Sequence, residues 1–96
     1  MFKDSEIRAA TIAPKVLKYV QDDPEKAYPT AIANRMNADG ENTNNMQVKH
    51  ALEFLVTEGH IIALEPKKRS EGRPLLLYAI TLRGIYHLAS YGLSKV

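Results

Sequence analysis

Four long cations, Lys67, Lys68, Arg69 and Arg73, fall within seven residues, interrupted by Ser70, Glu71 and Gly72. Clustered Lys and Arg are what phosphate oxygens attract. The charge is uneven along the 96 residues: 1–65 hold seven Lys/Arg against ten Asp/Glu, whereas 66–96 hold six against one Glu, so the net +2 conceals a basic segment. A second set of polar side chains lies upstream: Asn44, Asn45, Met46, Gln47, Lys49, His50 and Glu53. Gln47 can bond adenine at two points, Lys49 can reach guanine or a phosphate, and Glu53 can accept from the cytosine amino group. Each set has a plainer reading as well, as a solvated loop and a solvated helix face.

Other chemistries find little support. His50, His60 and His87 share no close ligand spacing, and there is no cysteine. Neither a metal site nor a disulfide is expected, since structural zinc usually takes four ligands. No nucleophile elbow, phosphate loop or metalloprotease motif occurs, so no catalytic residue, enzyme activity or cofactor is expected. Asp22-Asp23 reads as a solubilising pair or a helix stop rather than catalytic carboxylates. No apolar run approaches the roughly 18 residues of a membrane span, and the start Met1-Phe2-Lys3-Asp4-Ser5-Glu6 is too polar for a signal peptide. The expectation is a cytoplasmic protein without a membrane partner.

The elements that would position these residues follow from periodicity. Ile12, Ala13, Val16 and Val20 make a helical stripe with Leu17 and Tyr19 beside it, and Pro14 suits a first turn. The predicted helix covers 14–21, with residues 4–11 as a separate turn and a break or kink over 11–14. Ile32, Ala33 and Met36 predict a two-turn helix; a polar connection over 37–42 follows, with Gly40 free to take a positive φ. A third helix is expected from a cap at 42–44 to about Glu58, burying Val48, Leu52 and Leu55, with Gly59 as its stop. The period then changes. Ile61–Leu64 and Leu75–Ile80 read as strands of a hairpin around the basic loop. Thr81 can cap a last helix with Leu82, Ile85, Leu88 and Ala89 on one face, ending at Gly92.

Two segments resemble a known family. Val48, Leu52, Leu55, Gly59 and Ile61 keep the spacing of the recognition helix and its exit in winged helix-turn-helix regulators. Tyr78-Ala79-Ile80-Thr81-Leu82-Arg83-Gly84 is similar to the Tyr-x-Leu-Thr-x-x-Gly that ends the wing in PadR-like and MarR-like regulators, with Ile80 in place of Leu. The resemblance spans about residues 12–92. It implies one winged-helix domain over 1–96, mainly α with a small β-hairpin in the order α-α-α-β-β-α, with residues 1–11 as an arm and 93–96 as a tail. The implied function is sequence-specific binding of double-stranded DNA by a small transcriptional regulator.

On that reading the third helix enters the major groove with Asn44, Asn45, Met46, Gln47, Lys49, His50 and Glu53. Lys67, Lys68, Arg69 and Arg73 lie along the backbone or reach a minor groove. Two other uses of the fold stay open. One is protein–protein contact, favoured by the acidic balance of helices 2 and 3, where Arg35 and Lys49 face Asp39, Glu41, Glu53 and Glu58. The other is an architectural or replication DNA-binding protein of viral or plasmid origin. Phe54 falls off the buried stripe and is expected beneath the wing or at a subunit contact. Phe2, Ile7 and Tyr91 are candidate homodimer contacts.

Overall fold

The structure, a computed structural model, describes the backbone over residues 4–65 and 76–90, and side chains within those spans from residue 10 onward. Four helices and a two-stranded antiparallel sheet follow the order α-α-α-β-β-α: α1 (Asp4–Asp22), α2 (Pro29–Ala38), α3 (Asn45–Thr57), β1 (Ile61–Ala63), β2 (Tyr78–Ile80) and α4 (Leu82–Ser90). This is the α+β layout that the sequence predicts.

The expected break over 11–14 is absent, because α1 runs through Pro14 without interruption. A proline inside a helix forfeits the bond to the carbonyl four residues back and costs about 3 kcal/mol. Continuity places Ile12, Ala13, Val16, Leu17 and Val20 on a single stripe, all of them buried, and α1 packs chiefly against α3. Each large aliphatic buried contributes roughly 1.5–3 kcal/mol, so the stripe outweighs the proline.

A short 3-10 turn (Pro24–Lys26) leads from α1 toward α2. It delivers Ala27 into the core, where the Ala27 carbonyl accepts the Tyr78 N–H at 3.1 Å and so braces β2 from outside the sheet. α2 starts at Pro29, in the first turn where its missing N–H is no loss, and buries Ile32, Ala33 and Met36 as expected.

The connection from α2 to α3 is tied at both ends. Asn37 donates from Nδ2 to the Thr43 carbonyl at 3.0 Å and accepts the Thr43 N–H on Oδ1 at 2.9 Å. Gly40, at φ +93°, makes the turn between them. Two side chains fasten the same turn to α1: the Tyr19 hydroxyl donates to Asp39, and Lys15 pairs with Glu41. Burial, followed by the Asp39 carboxylate, pushes the Tyr19 phenol up to about 12.

In the sheet, Ile61 pairs with Ile80, Ile62 with Ala79 and Ala63 with Tyr78, which is the predicted pairing of Ile61–Leu64 with part of Leu75–Ile80. Gly59, at φ +78°, ends α3 as anticipated.

Thr81 then launches α4. Its hydroxyl donates to the Gly59 carbonyl at 2.7 Å and accepts the Gly84 N–H at 3.1 Å, while its own N–H donates to the His60 carbonyl at 3.0 Å. One face expectation needs correction. Leu82 is 72% exposed, whereas α4 buries Gly84 and Leu88. At roughly 100° per residue, Leu82 sits about 120° around the helix from Leu88 and misses the core. The expected stop at Gly92 lies outside the described residues. Among the described residues, no helix is long and apolar enough to cross a membrane.

Candidate nucleic-acid interface

A helix that reads a groove must be fixed by one face and bare on the other. The inner face of α3 is made by Val48, Ala51, Leu52 and Leu55, all buried. The expected reading residues divide into two groups around it.

The first group is occupied within the protein. Asn44 caps the helix, its Oδ1 accepting the Gln47 N–H at 2.9 Å. Asn45 donates from Nδ2 to Thr30 Oγ1 at 3.0 Å, tying the start of α3 to the start of α2. Gln47 is half-buried and its Oε1 accepts from the Thr43 hydroxyl at 3.0 Å. A two-point bond to adenine needs both ends of the carboxamide; here the oxygen already has a partner.

The second group is presented to solvent. Met46 is 67% exposed, Lys49 and Glu53 are exposed, and His50 is half-buried. Lys49 makes no ion pair among the described residues, unlike Lys15, Lys18 and Arg35, which pair with Glu41, Asp22 and Asp23. Glu53 also acts inward. Burial first, and then the Glu53 carboxylate, pushes the phenol of Tyr78 on β2 up.

The wing cations Lys67, Lys68, Arg69 and Arg73 lie outside the described residues, as do Phe2, Tyr91 and the side chain of Ile7. Phe54 is 40% exposed. It borders a cleft of about 220 Å³ between α1, α3 and α4, walled by Ala10, Pro14, Glu58, His60 and His87.

That cleft holds a feature that spacing in the sequence does not reveal. His60 and His87 stack with ring centroids 4.1 Å apart and planes 20° from parallel. His60 is 7% exposed, and its buried Nδ1 has no hydrogen-bond partner among the described residues. Among the described residues, no group of three His, Cys, Asp or Glu is placed to hold a metal.

Comparison with protein-family models, curated proteins and solved structures finds no match. The class of fold therefore rests on the geometry above: among the described residues, four helices with a two-stranded antiparallel sheet between the third and the fourth.

Proposed function

We propose that the protein is a sequence-specific double-stranded DNA-binding protein, a small cytoplasmic transcriptional regulator without catalytic activity. In this reading α3 lies in the major groove and the basic segment 67–73 lies on the phosphate backbone. The observation that carries it is the division of α3: an inner face sealed by Val48, Leu52 and Leu55, and an outer face offering Met46, Lys49 and Glu53 beside an N-terminus locked by Asn44 and Asn45. Of the charges in helices 2 and 3, Glu41 pairs with Lys15 of α1 and Arg35 with Asp23, while Lys49, Glu53 and Glu58 stay exposed. A homodimer would set two copies of α3 on half-sites about one DNA turn apart.

One observation favours a second reading, a protein–protein interaction subunit. Ile62, Leu82 and Tyr86 are large, apolar and strongly exposed, and such side chains suit a partner surface.

Two variant sets separate these readings. Alanines at Lys67, Lys68, Arg69 and Arg73 are expected to weaken binding to a selected site and to random duplex about equally, because phosphate carries no sequence information. Lys49→Ala or Glu53→Ala, if the residue reads a base, is expected to cost about 1–3 kcal/mol on the selected site and to relax preference at one position. Polarisation titrations on both duplexes measure this. Wing variants that bind both duplexes like the parent would favour the protein-contact reading.

A further inference from the structure

We propose that the stacked imidazoles of His60 and His87 form an acid-sensitive latch that holds α4 against the exit of α3. His60 belongs to the turn between α3 and β1; His87 belongs to the second turn of α4. Their stack closes the far end of a contact whose near end is built from backbone: Thr81 N–H to the His60 carbonyl, Thr81 hydroxyl to the Gly59 carbonyl, and Gly84 against His60. The same short turn is thus gripped at two levels of α4, by hydrogen bonds that are indifferent to mild acid and by rings that are not.

Neutral imidazoles stack without penalty. A doubly protonated His60 carries an N–H at Nδ1, in a buried position that offers no acceptor among the described residues. It also places a positive charge 4.1 Å from the His87 ring. The charged groups acting on His60 from the packed elements are His87 and Arg83 on α4 and Glu58 at the end of α3, while α1 contributes the apolar Ala10, Ala13 and Pro14. Burial, His87 and Arg83 all hold the His60 imidazole below its ordinary value, and Glu58 opposes them.

The direction of the effect follows. As pH falls below about 6.5, the released His60 takes a proton before the latched one does, so the closed form loses ground from there down to the latched midpoint. Above about 6.5 the latch is fully closed. With one proton involved, the closed-to-open ratio falls by at most about tenfold per pH unit.

Amide hydrogen exchange on the intact protein at pH 7.5 and pH 5, expressed as protection relative to intrinsic rates, reads the latch directly. Protection at Thr81 and Gly84 is expected to fall several-fold more than at Leu52 in the centre of α3. Imidazole NMR titration should place the His60 midpoint below 6.5. A His87→Phe variant, which keeps a ring but removes its charge, should move that midpoint upward and reduce the loss at Thr81. Unchanged protection at Thr81 and Gly84, a loss of the same size at Leu52, or a His60 midpoint at or above 6.5 would overturn the proposal, whether or not the protein binds DNA.

Discussion

Leu52→Ala is expected to lower the stability of the protein by roughly 2–5 kcal/mol, the range for truncating a large aliphatic in a closed core. Leu52 is fully buried in the middle of α3, among the inner-face residues Val48, Ala51 and Leu55. Removing three carbons there loses transfer free energy and leaves a cavity that α1 and α3, packed along one another, can only partly close. Small domains hold about 5–15 kcal/mol in all, so the variant forfeits a large share. A denaturant melt measures the change as a shift in midpoint at constant slope. A variant melting with the parent would mean that α3 is turned the wrong way, and Met46, Lys49 and Glu53 could not then form the outer face.

Gly84→Ala is expected to destabilise by roughly 1–3 kcal/mol or more, against the ordinary preference of helices for alanine. A Cβ built on Gly84 would stand 2.2 Å from the His60 carbonyl oxygen and 2.8 Å from Ile80 Cγ1. The first neighbour is backbone, and it is the same carbonyl that accepts the Thr81 N–H. Room for the methyl therefore requires α4 to move off the α3–β1 turn. Propensity alone would make Gly→Ala stabilising by about 1 kcal/mol in a helix interior. The sign of the change thus decides between close packing and a merely permissive glycine. A thermal melt in which Gly84→Ala equals or exceeds the parent would show that α4 does not sit on His60.

The parts of this fold that repeat with a period could be read from residue types. Val48, Leu52 and Leu55 mark the inner face of α3, and the change to Ile61-Ile62-Ala63 marks the strand. Side chains whose partners are set by tertiary contact could not. Pro14 looked like a helix start, because nothing local tells a buried stripe that continues through a proline from one that begins at it. Leu82 looked like core until the inner face of α4 settled on Gly84 and Leu88. His60 and His87 are 27 positions apart, and only the return of the chain through β2 stacks them.

The site was legible in part. Asn44 followed three residues later by Gln47 is the spacing of a capped helix start, a signal that favours internal bonding over base contact for Gln47. The Asn37–Thr43 clamp and the Asn45–Thr30 bond leave no periodic trace, so nothing in the spacing marks Asn45 as internally bonded. Spacing predicts an outward face of Met46, Gln47, His50 and Glu53 with Lys49 at its edge; Met46, Lys49 and Glu53 are exposed, whereas Gln47 and His50 are half-buried.

Titration of the intact protein against random duplex DNA, by polarisation at several salt concentrations from about 50 to 200 mM, tests DNA binding itself. If Lys67, Lys68, Arg69 and Arg73 each neutralise one phosphate, log affinity should fall against log salt with a slope near −3.6, steeper by about 0.9 if Lys49 adds a further contact. Absence of binding at the lowest salt, or binding indifferent to salt, would contradict a DNA-binding function and leave the exposed Ile62, Leu82 and Tyr86 as the surface to explain.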